Sequence, residues 1–89
     1  MPARPQSQAR TEKAMHQMRA EVIAQIASHL HTLDMPQGEL AATVGLSRPR
    51  LNRLLAEDVN LFSLDALYTV ALRAGLRVKS GVMRSYRPR

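Results

Sequence analysis

Apolar residues recur along the chain at steps of three and four, which is the spacing of one face of an α-helix. The longest such stripe predicts a first helix over about 11–32, and shorter stripes predict helices over about 36–44, 48–56 and 63–74. The residues of the longest stripe are Met15, Met18, Val22, Ile26 and Leu30 or Leu33. The pattern therefore indicates an all-α core built from four helices.

Residues with strong preferences for helix ends bound the shorter helices. Gly45 and Gly75 can take the left-handed conformation that ends a helix. Ser47 and Ser63 can each accept a hydrogen bond from a free N–H at a helix start. Pro49 fits the first helical turn, because its missing N–H is not needed there. These signals predict short helices with sharp turns between them.

The rest of the chain differs from the helices in composition or period. Residues 1–10 are rich in Pro, Gln and Arg, and predict a flexible basic arm before a domain over 11–75. Residues 76–83 alternate between apolar and basic or polar side chains, which predicts a β-strand, and residues 84–89 predict a basic tail. Because this strand has no partner strand in the chain, we expect it to pair with its copy in a homodimer. A fifth short helix, or pairing with the sheet of another protein, would use the same residues.

The second and third stripes lie on either side of one glycine and predict a helix-turn-helix. Such a motif needs a small residue where the two helices cross, a turn-forming residue between them and apolar residues that hold both on the core. The residues that meet these needs are Leu40, Ala41, Val44, Gly45, Leu46, Leu51 and Leu54. The alternative is an α-hairpin that serves packing alone.

The face of the third helix that remains exposed indicates DNA recognition. In a helix-turn-helix the start of the second helix of the motif enters the major groove, where Arg can pair with guanine and Asn with adenine. The residues predicted to contact base edges are Arg48, Pro49, Asn52 and Arg53. The residues predicted to contact the DNA backbone are Gln37, Ser47 and Arg50. For any one of them the alternative is a solvated surface group.

Charge and composition favour the same kind of partner. The 89-residue chain has a formal net charge of +6 and a sequence pI of about 11.1, which favours a polyanion, either nucleic acid or an anionic membrane surface. The segment 73–89 holds six basic residues and no acidic one. The absence of cysteine fits a reducing compartment such as the bacterial cytoplasm. No apolar run is long enough to span a bilayer.

Other functional classes find little support in the sequence. His29 and His31 lie two residues apart, so on a helix they point to different faces, and His16 is distant. We therefore predict no metal site. No serine or carboxylate stands in a recognisable catalytic arrangement and no glycine-rich phosphate loop occurs, so we predict neither an enzyme nor a cofactor. Glu12 and Glu21 offset much of the basic charge of the first helix, which argues against a membrane partner.

The segment QGELAATVGLSRPRLNRLL resembles the Xre (Cro/cI-like) helix-turn-helix family. The segments FSLDAL and AGLRV after it are similar to small HigA-type antitoxins, and the resemblance covers about 35–79. It implies a compact lambda-repressor-like domain, a cytoplasmic bacterial protein and a dimeric repressor that binds palindromic operators in double-stranded DNA. Many members of the family also neutralise a RelE-fold toxin encoded beside them, and thereby form a toxin–antitoxin system that regulates its own operon.

Two points remain open within this resemblance. The first is whether the protein is an antitoxin or a stand-alone, phage-type transcriptional regulator without a toxin partner. The second is the loop after the third helix, where the resemblance implies a basic or glycine-rich stretch and this chain has Glu57 and Asp58. Two carboxylates would repel DNA phosphates, so we expect this loop to face away from DNA or to weaken binding.

Overall fold

The structure, a computed structural model, describes residues 6–77, with side chains from residue 9 onwards. These residues form four α-helices and one 3-10 turn, and no strand occurs among them. The elements are α1 (Gln6–Thr32), α2 (Gln37–Val44), α3 (Arg48–Leu55), the 3-10 turn (Val59–Leu61) and α4 (Leu64–Arg73). The described part of the chain is therefore all-α, as the apolar pattern predicted.

Helix α1 begins earlier than its apolar stripe. The sequence places the start near Thr11, whereas the structure places it at Gln6. Residues 6–10 contain neither Gly nor Pro and include Gln, Ala and Arg, which favour helix, so the helix continues beyond its buried face. It thus covers the second half of the segment assigned to a flexible arm, and residues 1–5 of that arm lie outside the described range.

The core forms around the C-terminal half of α1, which holds all the buried residues described for this helix. This part of α1 packs against α3, α4 and the 3-10 turn. Met15, by contrast, is 37% exposed, so the buried stripe of α1 begins only after it. The buried core residues are Val22, Ile23, Ile26, Leu30, Leu40, Ala41, Val44, Leu51, Leu54, Phe62, Leu67, Val70 and Ala71. Each large aliphatic side chain buried in this way contributes roughly 1.5–3 kcal/mol to folding.

The turn between α2 and α3 is made by Gly45. Its φ of 75° lies in the left-handed region that favours glycine. The N–H of Leu46 then donates to the carbonyl of Ala41 at 2.9 Å, which satisfies one of the free carbonyls at the end of α2. Gly45 therefore ends α2 and redirects the chain into α3 within two residues.

The predicted C-terminal β-strand over 76–83 is wrong, because neither described residue of that segment is in a strand. Gly75 ends α4 with a φ of 76°, and the next residue, Leu76, donates its N–H to the carbonyl of Ala71 at 2.8 Å. The side chain of Leu76 also packs against the core. Its backbone and side chain thus complete the end of α4 instead of starting a ladder. Residues 78–89, which include the rest of the predicted strand and the basic tail, lie outside the described range.

Candidate nucleic-acid interface

Helix α3 has one buried face and one exposed face. Leu51 and Leu54 are fully buried and hold the helix on the core, with 0% of each residue exposed to solvent. The exposed residues of its outer face are Arg48, Pro49, Arg50, Asn52 and Arg53. The two leucines therefore fix the direction in which the polar and basic side chains of α3 point.

The first turn of α3 is held by Ser47. The Ser47 hydroxyl accepts a hydrogen bond from the backbone N–H of Arg50 at 3.2 Å, so the predicted N-cap is confirmed. Pro49 lies in the same turn, where its missing N–H leaves no bond unmade. The Ser47 hydroxyl is exposed and keeps its own hydrogen for a further acceptor. The start of α3 is therefore rigid and retains a donor.

Two predicted contact residues on different helices are joined by a hydrogen bond. Nε2 of Gln37, the first residue of α2, donates to Oδ1 of Asn52 at 3.0 Å. This bond orients the Asn52 amide on the outer face of α3 and leaves its Nδ2 group as a donor. Gln37 and Asn52 thus form one polar unit across the turn between α2 and α3.

Arg50 is turned towards the loop that follows α3. Its Nη2 donates to the carbonyl of Leu61 at 3.4 Å, and its Cζ lies 4.6 Å from the centre of the Phe62 ring. This distance is within the range of an attractive cation–π contact. Arg50 is still exposed, but its side chain braces the loop after α3.

Arg53 is paired with the loop that follows α3. Nη1 of Arg53 lies 3.5 Å from Oδ2 of Asp58, with the two side chains 64% and 32% exposed. Asp58 therefore lies beside one of the side chains predicted to contact bases. Whether this loop faces away from DNA or weakens binding stays a prediction. Acidic residues shortly after a helix end were visible in the sequence, but their direction depends on how the chain turns at Glu57.

Arg48 differs from the other two arginines of α3. None of the described residues makes a hydrogen bond or ion pair with its side chain, so its guanidinium keeps all its donors for a ligand. A fourth arginine, Arg73, was not predicted to lie near this surface. Its guanidinium lies beside Gly45, and a Cβ added at Gly45 would lie 3.1 Å from Cζ of Arg73. The last turn of α4 therefore supplies a further positive charge at the turn before α3.

Other groups of polar residues in the described chain have structural explanations. His29 on α1 places Nε2 3.2 Å from the carbonyl of Ala74 at the end of α4, which links the two helices. Within residues 9–77 no three His, Cys, Asp or Glu residues are grouped so that they could hold a metal ion. None of the described helices is both long and apolar enough to cross a bilayer.

Comparison with known proteins agrees with this geometry. The model of a family described as a helix-turn-helix domain matches residues 7–82, which is most of the chain. No match was found among curated proteins or among solved structures. The matched segment contains α2, the Gly45 turn and α3, whose outer face carries the arginines described above. The chain therefore belongs to the helix-turn-helix domain family, and is a DNA-binding regulator of that class.

Proposed function

We propose that the protein is a sequence-specific, Xre-type transcriptional repressor that inserts α3 into the major groove of its operator. The observation that carries this proposal is the outer face of α3, where Arg48, Asn52 and Arg53 are exposed on a helix whose other face is fully buried. Side chains held on a rigid helix can meet base edges without a large loss of conformational freedom on binding. An exposed basic face on a surface loop would not offer this advantage.

The contacts within this face suggest different roles for its residues. Arg48 at the start of α3 and Arg53 five residues later can each donate two hydrogen bonds to guanine. Asn52, oriented by Gln37, can pair with adenine or share that base with the Gln37 amide. Ser47 and Arg50 are suited to phosphate oxygens, the former through its free hydroxyl hydrogen and the latter at the rim of the helix.

The small size of α3 supports a dimer that reads a palindrome. A helix of eight residues is about 12 Å long, which spans roughly three to four base pairs. One such helix cannot select a site in a genome, since many copies of so short a sequence occur by chance. Two copies related by a two-fold axis would place their α3 helices ~34 Å apart and read two half-sites.

The proposal also includes a second role for the protein, that of an antitoxin. It is supported by the similarity of FSLDAL and AGLRV to HigA-type antitoxins, and its partner would be a RelE-fold toxin. The exposed side chains of residues 9–17 on α1 provide a surface for that partner outside the DNA-reading face. Co-expression with the neighbouring open reading frame tests it, because growth arrest relieved by this protein supports an antitoxin. Unrelieved arrest, or no arrest, supports a stand-alone regulator.

DNA recognition is tested by selecting duplexes from a randomised library with the purified wild-type chain, followed by footprinting of the enriched sequence. Replacement of Arg48 or Arg53 by Ala should weaken binding to the selected duplex by about 1–3 kcal/mol and relax preference at one position. Arg10→Ala, which removes the same charge from the exposed start of α1, is the matched control. It should leave the preference at every position unchanged.

Three results would each contradict one part of the proposal. Selection that enriches no sequence would show that α3 does not read bases. An Arg53→Ala variant that keeps both affinity and preference would show that α3 lies in the groove in another orientation. A footprint with two protected half-sites one helical turn apart supports the dimer, whereas a single protected half-site contradicts it.

A further inference from the structure

The ion pair between Arg53 and Asp58 occupies a side chain that the proposed function assigns to base reading. The Arg53 guanidinium is mostly exposed and reaches outwards from α3, whereas the Asp58 side chain is more covered, at 32% exposure. Only Nη1 of Arg53 contacts the carboxylate, so most of the donors of the guanidinium stay accessible. This arrangement places one negative charge directly beside one of the positive charges that would meet DNA.

The position of the Asp58 carboxylate is set by the backbone around it. The N–H of Asp58 donates to the carbonyl of Arg53 at 3.1 Å, and the carbonyl of Asp58 accepts from the N–H of Leu61 at 3.2 Å. Glu57, with a φ of 60°, turns the chain back towards the end of α3. Asp58 is thus held beside α3 from both sides and does not depend on the ion pair for its location.

A carboxylate in this position acts differently on the two kinds of DNA contact. A phosphate carries a negative charge, so its attraction to Arg53 is opposed by repulsion from Asp58. The edge of a guanine carries no net charge, so its hydrogen bonds to the guanidinium are opposed much less. Contacts to phosphate provide nearly all of the affinity for DNA of unrelated sequence.

We infer that Asp58 is a specificity-determining residue, which lowers the affinity for DNA of unrelated sequence more than the affinity for the operator. It acts by reserving Arg53 for a base edge and by discouraging Arg53 from binding phosphate. This is discrimination by a repulsive element directed at the wrong ligand. The inference rests on the proposed function, since it requires a chain that reads bases through α3.

Glu57 provides a matched control for Asp58. It carries the same charge in the neighbouring position, is exposed, and makes no ion pair with any described residue. The substitutions Glu57→Gln and Asp58→Asn each remove one negative charge and keep the shape of the side chain. Only the second removes the carboxylate that faces Arg53.

The test measures dissociation constants for two probes over a series of salt concentrations. One probe is the duplex that the wild-type chain enriches from a randomised library, and the other is a shuffled duplex of the same base composition. With Asp58→Asn, affinity for the shuffled duplex should rise roughly three- to tenfold, with a much smaller rise for the enriched duplex. The salt dependence on the shuffled duplex should steepen by about one unit of log–log slope, as expected for one added phosphate contact.

The control variants decide how these results are interpreted. Glu57→Gln should change the affinity for both probes by one common factor, and Asp58→Asn should have no selective effect when Arg53 is already Ala. The inference is overturned, while the proposed function stands, if Asp58→Asn changes the affinity for both duplexes by the same factor. It is also overturned if Asp58→Asn still changes the affinity for one duplex more than for the other in the Arg53→Ala variant. If the wild-type chain enriches no duplex, the proposed function fails and the inference fails with it. The midpoint of thermal unfolding, compared among the variants, verifies that all of them are folded.

Discussion

The turns before and after α3 share one backbone geometry but are made by different residues. Gly45 before α3 has a φ of 75° and Glu57 after it has a φ of 60°. In each turn the next residue donates its N–H to the carbonyl five positions earlier, with N···O distances of 2.9 and 3.1 Å. A left-handed residue costs an L-amino acid roughly 1–2 kcal/mol relative to glycine, so only the second turn carries this cost.

The surroundings of the two turns explain the difference. The guanidinium of Arg73 lies where a Cβ at Gly45 would be, and the turn at Gly45 sets the angle between α2 and α3. Glu57 is exposed, so its side chain extends into solvent without displacing a neighbour. A side chain at position 45 would therefore require the exposed Arg73 side chain to move aside, whereas the turn that closes α3 already holds a side chain at the cost of strain.

The largest expected effect is that of Gly45→Ala. The new Cβ would meet an unfavourable φ and would overlap the Arg73 guanidinium. We expect a loss of about 1–2 kcal/mol in the free energy of unfolding, seen as a fall of roughly 5–15 °C in the midpoint of thermal unfolding. The variant with both Gly45→Ala and Arg73→Ala removes the overlap but keeps alanine at the unfavourable φ. Recovery of full stability in that variant would show that crowding, and not φ, is what requires glycine.

The serine that follows the first turn gives the next largest effect. Ser47→Ala should cost about 1 kcal/mol of stability, because it leaves the N–H of Arg50 without its acceptor. Ser63 at the start of α4 is the matched control, since its hydroxyl accepts from the N–H of Ala66 at 3.1 Å in the same way. Both variants should lower the unfolding midpoint similarly, but only Ser47→Ala should weaken DNA binding. Equal DNA affinities would remove Ser47 from the proposed phosphate contacts.

The smallest expected effect is a gain in stability on replacing Glu57 by glycine. Glu57→Gly removes the strain at a positive φ and should raise the free energy of unfolding by about 0.5–1 kcal/mol, because the entropy lost by glycine offsets part of the relief. Denaturant unfolding of Glu57→Gly, of Glu57→Gln and of the wild-type chain measures this change in the free energy of unfolding. Glu57→Gln keeps the side chain at the same φ and should leave stability unchanged. A gain of equal size in both variants would assign the effect to charge instead of strain.

The features that sequence analysis predicted well depend on residues close together in the chain. The caps at Ser47 and Ser63 are confirmed, since each hydroxyl accepts from the N–H three residues later. The left-handed turn at Gly45 is confirmed for the same reason, as glycine is the residue type that most readily adopts it. Local preferences of this kind determine most of a helix-turn-helix, which is why the motif could be predicted from the sequence.

The features that sequence analysis missed depend on competition between contacts. No local preference places Glu57 at a positive φ; the chain has to turn there so that Val59 and Phe62 reach the core. The bond between Gln37 and Asn52 joins residues 15 positions apart and requires the crossing angle of two helices. The alternation over 76–83 predicted a strand, but at Leu76 the packing of a partly buried side chain and a backbone hydrogen bond to α4 prevailed.

Helix α1 unites two stretches that should respond differently to heat. Its C-terminal part lies in the core, whereas the side chains of residues 9–17 are all exposed. Residues 6–17 extend about 18 Å along the helix axis, and the nucleation cost of this extension is already met by the anchored turns behind it. It can therefore grow or shorten one residue at a time, while residues 22–30 unfold only when the whole domain does. On warming, helical content should decline gradually from one end of α1 before the cooperative transition begins, so circular dichroism would show a sloping baseline that belongs to the folded state.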